Sequence, residues 1–150
     1  MFFLKELPSQ EMVCGYVDQI EGVEPSSVTN ALLMMRQASV LVRRLETYFS
    51  TYQLSQLRFL VLMVIDREIE RHSLSAVDII ERLDVSKPVM TRALQRLIKD
   101  GLVVSSLDKD DGRAKQISLT QDGRDLLAEM LPGYFHEISE YMSQLDSHSE

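Results

Sequence analysis

A chain of 150 residues, 45% hydrophobic and 26% charged, has the size and balance of one globular domain, which excludes a large multidomain enzyme and a wholly disordered chain. Its single cysteine, Cys14, excludes an intramolecular disulfide framework and any zinc centre built from several cysteines, and fits a reducing compartment such as the cytoplasm. The formal charge of −7 argues at first sight against a nucleic-acid partner.

In chain order, the opening Met1-Phe2-Phe3-Leu4-Lys5-Glu6 lacks the basic start and long apolar core of a secretion signal, and no apolar run is long enough to span a membrane. Residues 9 to 20 can form a short helix started by Ser9, although Gly15 interrupts the pattern. After the break Glu24-Pro25-Ser26-Ser27, apolar residues recur at three- and four-residue steps (Ala31, Leu32, Met35, Ala38, Val42, Leu45, Phe49), which predicts an amphipathic helix over about 27–49. Ser55 can cap the next helix. There Leu57, Leu60, Val61, Val64 and Ile65 follow the helical template while Phe59, Leu62 and Met63 fill most of the remaining circumference, the pattern of a centrally buried helix.

Ser75-Ala76-Val77-Asp78 reads as a capping box opening a short helix over about 76–83. Asp84-Val85-Ser86 breaks it. Ser86 can then cap a second helix that runs to Asp100 and stops at Gly101. On that helix Met90, Ala93, Leu94 and Leu97 share one face; Pro88, Thr91, Arg92, Gln95 and Lys99 share the other. Leu102 to Leu107 and Arg113 to Leu119 are β-type runs around an Asp111-Gly112 turn, predicting a two-stranded wing. Thr120 can cap a helix over about 121–131, and Pro132-Gly133 is expected to break or kink the path before a last helical stretch from Tyr134 to Leu145.

The distribution of charge reverses the first inference. Residues 1–30 hold one base against five acids and residues 121–150 one against seven, so the ends carry −4 and −6 and residues 31–120 carry +3. Seven bases and four acids fall between Ser86 and Lys115, and account for that +3. A helix-turn-helix sends its second helix into the major groove, where hydroxyls and cations suit phosphates and Arg or Gln suits guanine or adenine edges; Ser86, Lys87, Thr91, Arg92 and Gln95 are of those types. At the wing, Arg113 can enter the minor groove, and Asp111 stands close enough to brace it.

The run Ser86-Lys87-Pro88-Val89-Met90-Thr91-Arg92-Ala93-Leu94-Gln95-Arg96-Leu97, then Asp100-Gly101-Leu102-Val103, Asp108-x-x-Asp111-Gly112-Arg113-Ala114-Lys115 and Ile117-Ser118-Leu119-Thr120-x-x-Gly123, resembles the winged-helix core of the multiple-antibiotic-resistance-regulator (MarR) family. The resemblance covers about residues 30–145. It implies a mainly α chain with a small β-wing: an N-terminal extension over 1–30, dimerisation helices at 31–54 and 120–150, and a winged helix-turn-helix lobe at 55–119. It further implies a homodimer that binds double-stranded DNA at a palindromic operator, represses transcription and responds to a small-molecule effector. Arg113 resembles the wing-tip arginine of the minor groove, Asp111 its orienting aspartate, Thr91 and Arg92 groove-facing residues; Lys115 belongs to the same DNA-facing set. Ser105 and Ser106 stand where the family commonly has arginine, which removes a phosphate contact or two.

Relatives bind small aromatic acids in a cleft between the dimer helices and the lobe, which Arg43, Tyr48, Tyr52 and Arg58 would line here; surface pairing, as of Arg44 with Tyr48, is the alternative. Oxidation at Cys14 is a second possible switch, although no base lies nearer in sequence than Lys5. His72, His136 and His148 are too scattered to imply a metal, and no cofactor is expected. The absence of a G-x-S-x-G, a P-loop or paired carboxylates speaks against an enzyme. A winged-helix module that binds only protein through its acidic surface is the rival from another class.

Overall fold

The structure, a computed structural model, describes residues 2–107, 112 and 115–147. Helices α1 (Gln10–Val17), α2 (Pro25–Thr51), α3 (Gln56–Asp66), α4 (Ala76–Arg82), α5 (Lys87–Lys99) and α6 (Gln121–Ser147) alternate with strands β1 (Leu74–Ser75), β2 (Val103–Leu107) and β3 (Lys115–Leu119). They fall into two compact units, residues 1–45 and 46–150, and α2 runs from the first into the second.

In the first unit, the Ser9 hydroxyl accepts the Met12 N–H at 3.2 Å and so starts α1, whose buried side is Val13 and Val17. Gly22 turns the chain at φ +79°, and α2 begins at Pro25, two residues before the predicted start, because a proline in the first helical turn gives up an N–H that has no partner there anyway. Arg36 of α2 donates to the Leu4 carbonyl at 2.6 Å.

The second unit is built around α3. Phe59, Val61, Leu62, Val64 and Ile65 are buried on it, as its nearly continuous apolar circumference predicts, and α4, α5, α6 and β3 all pack against it. Phe49, Phe59 and Tyr134 form an aromatic cluster with ring centroids 4.8–5.9 Å apart, so this core takes in the last turns of α2 and the middle of α6. The wing has three strands rather than two, in the order β1-β3-β2, all antiparallel; Leu74 pairs with Ile117, and Val103 with Leu119. Two residues are too few to show a strand period, so β1 exists by virtue of its partner.

Helix α6 runs unbroken through Pro132-Gly133, so of the break or kink expected there the break does not occur. Pro132 withdraws a donor from the Ala128 carbonyl, and Ala128 lies on the exposed side of the helix, where water can take its place. On the other side Leu127 and Met130 are fully buried and Tyr134 joins the aromatic cluster, spaced i, i+3, i+7. Burying such side chains is worth about 1.5–3 kcal/mol each, which outweighs a proline cost of about 3 kcal/mol and a glycine cost of about 1 kcal/mol. Gly133 has a tertiary use as well. A Cβ there would overlap the Tyr48 ring, whose hydroxyl donates to the Met130 carbonyl at 2.7 Å.

Candidate nucleic-acid interface

The helix-turn-helix is set by local capping. Ser75 accepts the Asp78 N–H at 3.2 Å while the Asp78 carboxylate accepts the Ser75 N–H at 3.0 Å and its hydroxyl at 2.7 Å, which closes the capping box at the start of α4. These hydrogen bonds, the hydroxyl's first, hold the Asp78 carboxyl below its ordinary pKa. At the far end of α5, the Leu102 N–H reaches the Leu97 carbonyl and the Gly101 N–H that of Ile98, with Gly101 at φ +72°; this is a Schellman stop, and it fixes where the helix ends and the wing begins.

Between those ends α5 is two-faced. Met90, Ala93, Leu94 and Leu97 are buried, and Lys87, Thr91, Arg92 and Gln95 are exposed. Ser86 occupies the N-cap position, yet its hydroxyl makes no cap bond, unlike the cap expected of it, and stays available. Thr91 donates its hydroxyl proton to the Lys87 carbonyl at 2.9 Å and keeps its lone pairs. Lys87, Arg92 and Gln95 have no intramolecular partner among the described residues, so these donors face water and stay free to bind. Lys115 is exposed at the first position of β3, opposite Leu107. Asp111 and Arg113 lie outside the described residues.

One carboxylate organises a second group of cations. Asp100 accepts Arg96 Nε at 2.9 Å and Arg58 Nη1 at 3.2 Å, and Arg58 also donates to the Ser55 hydroxyl at 3.3 Å and the Gln53 carbonyl at 3.1 Å. Gln53 holds a left-handed backbone at φ +53°, uncommon for a residue with a Cβ. Sequence reasoning named Arg58 but missed Ser55, Arg96 and Asp100 as its companions. The i, i+4 spacing of Arg96 and Asp100 was a usable signal, whereas the 42-residue step from Arg58 to Asp100 left none.

Of the residues expected at an effector cleft, Tyr48, Tyr52 and Arg58 belong to the second unit and Arg43 to the first. Tyr48 and Tyr52 pack edge to face with centroids 5.5 Å apart, and the Tyr48 hydroxyl is spent on Met130. Burial first, then Tyr52 and the carboxylates of Glu129 and Glu137, push that phenol up to about 12. Arg58 turns to Gln53, Ser55 and Asp100, and Arg43 is exposed on the part of α2 in the first unit. Cys14 is half-buried on α1. Among the described residues there is no group of His, Cys, Asp and Glu able to hold a metal, and no helix long and apolar enough to cross a membrane.

Known proteins resemble this arrangement. The model of the MarR family matches residues 52–114, the segment from the turn before α3 to the wing. Over 139 residues the chain is 29% identical to the HTH-type transcriptional repressor YetL of Bacillus subtilis, an alignment that spans 93% of this chain and 83% of YetL. Among solved structures, a mutant MarR from Escherichia coli complexed with operator DNA superposes with a TM-score of 0.62 at 21% identity, covering 77% of this chain and 86% of that one. BpsR of Bordetella bronchiseptica, whose DNA binding is regulated by 6-hydroxynicotinic acid, does so with a TM-score of 0.64 at 24% identity, covering 73% and 76%.

Proposed function

We propose that this chain is a DNA-binding transcription regulator of the MarR family rather than an enzyme, and that it acts in the cytoplasm as a homodimer that represses from a palindromic operator and releases it on binding a small molecule. The observation that carries the reading is the outer face of α5, where Lys87, Arg92 and Gln95 stand exposed without partners among the described residues, beside the Ser86 hydroxyl, which makes no cap bond. Such a face suits the major groove, with Thr91, Arg92 and Gln95 toward base edges and Ser86 and Lys87 toward phosphates. Arg113, aimed by Asp111, enters the adjacent minor groove, and Lys115 follows the backbone beside it. Residues 31–54 and 120–150 pair with those of a second copy, and residues 55–119 form each reading lobe.

The effector is of the small aromatic acid class, as for BpsR, and Arg43, Tyr48, Tyr52 and Arg58 are the residues first to be tested for it. It works by favouring a dimer geometry whose lobes no longer match successive major grooves, a shift of population between two states. The test is selection of duplexes from a random pool by the purified chain. Recovery of an inverted repeat with half-sites about 10 base pairs apart is expected. A pool that stays random through repeated rounds would remove the operator reading.

A further inference from the structure

A groove of about 530 Å³ lies between the first turn of α3 and the flank of α5, lined by Ser55, Arg58, Arg92 and Arg96 with Val89 and Ala93 of the same helix α5. We infer that this groove is a receptor for one phosphate of the DNA backbone, at the edge of the recognition helix; the inference rests on the DNA-binding reading above. Three features carry it.

The charge does not cancel. Three guanidiniums line the groove, and among the described residues one carboxylate, Asp100, pairs with two of them, Arg58 and Arg96, leaving a local excess of two positive charges. Donors also remain unspent. A guanidinium has five N–H groups; among the described residues Arg58 uses three, Arg96 uses only its Nε, and Arg92 has no partner. Finally, the receptor is built in advance. The Arg58 side chain is only 17% exposed and is held from three sides, by a carboxylate, a hydroxyl and the carbonyl of Gln53 in its left-handed conformation. A planar donor group immobilised before the ligand arrives loses little entropy when a phosphate binds. The N-terminus of α3 adds its unpaired backbone N–H groups and the positive end of its dipole on the same side. Arg92 then belongs to both surfaces, and links the phosphate to the base-reading face.

The experiment is fluorescence anisotropy of the full chain with a duplex recovered from the pool and a scrambled duplex of equal length, between about 0.05 and 0.2 M salt. Arg58→Gln and Arg96→Gln are each expected to lower the slope of log K against log salt by about 0.9. At 0.1 M salt that corresponds to about eightfold weaker binding, by the same factor on both duplexes, because a phosphate carries no sequence. Arg96→Lys should keep the wild-type slope. The Arg96 side chain is 59% exposed, so its variants test the groove even where Arg58→Gln unsettles the fold. Unchanged slopes in both Gln variants, or a loss confined to the recovered duplex, would overturn the phosphate receptor. So would unchanged slopes together with inorganic phosphate shifting the Arg58 and Arg96 Nε resonances below millimolar concentration, which would assign the groove to a free anion. A wild-type chain that binds neither duplex would instead remove the DNA-binding reading itself.

Discussion

Asp78 takes both its side-chain hydrogen bonds from Ser75, and that pair starts the first helix of the helix-turn-helix. Because the folded pKa is depressed below the ordinary 3.8, the pair contributes stability above the carboxylate range and loses it as pH falls through the lowered folded value. Ser75→Ala is therefore expected to cost about 1 kcal/mol at pH 7. Its deficit against the wild type should shrink below about pH 3.8, read from urea midpoints at several pH values; a deficit that stays constant down to pH 2 would contradict the capping account. If Arg113 takes the minor-groove role proposed for it, Arg113→Ala should weaken binding to a recovered duplex by about 1–3 kcal/mol and flatten its salt dependence. An isotherm unchanged across salt would end that assignment. The Ser75–Asp78 cap was legible in the sequence because it depends on neighbours within a few residues.

Helices show where local preference yields to packing. By propensity alone Gly133→Ala should stabilise α6 by about 1 kcal/mol, since alanine is the better helix former. The added Cβ instead meets the ring of Tyr48, so a net loss of about 1–3 kcal/mol is expected, with the Tyr48 contact to Met130 disturbed. Thermal unfolding of Gly133→Ala, Tyr48→Ala and the double variant tests this; the penalty of Gly133→Ala should vanish once the ring is gone, and strict additivity would refute the clash. Gly123 follows the same logic against the Leu102 backbone. Thr120 donates its hydroxyl to the Gly101 carbonyl at 2.6 Å and accepts the Gly123 N–H at 3.0 Å, while the Thr120 N–H reaches the Leu102 carbonyl. The Thr120-x-x-Gly123 motif thus seats α6 on the end of α5. Sequence reasoning used it as a mark of resemblance; its physical content is a clamp between two elements about twenty residues apart.

On the scale of the whole molecule, the charge of −7 divides into acidic ends and a basic centre, and that division bears on how DNA approaches. Under the proposed function, acidic segments repel phosphate, which weakens non-specific binding. Two helices leave large apolar side chains in water: Leu33, Met34, Met35 and Val42 on α2, Phe135 and Met142 on α6. Under the proposed homodimer, these exposed side chains on each helix are ones that a second copy would cover. Sedimentation at micromolar concentration is expected to give a dimer, with two chains on each recovered duplex. A monomer that binds the duplex at full affinity would contradict the dimeric reading.

The sequence by itself determined the helix-turn-helix, the capping box that starts α4 and the glycine that stops α5, the buried helix at its back, the hairpin strands and the basic segment, because periodicity, cap chemistry and charge are written within a turn or two of chain. The tertiary structure alone decided the third strand at Leu74–Ser75, the unbroken course of α6 through Pro132-Gly133, and the meeting of Arg58, Arg96 and Asp100 in one groove. Each of these sets a local cost or a missing local signal against contacts made across 40 or more residues. Burial and pairing at that range are worth more than the propensity of any single residue, and no short window of sequence records them.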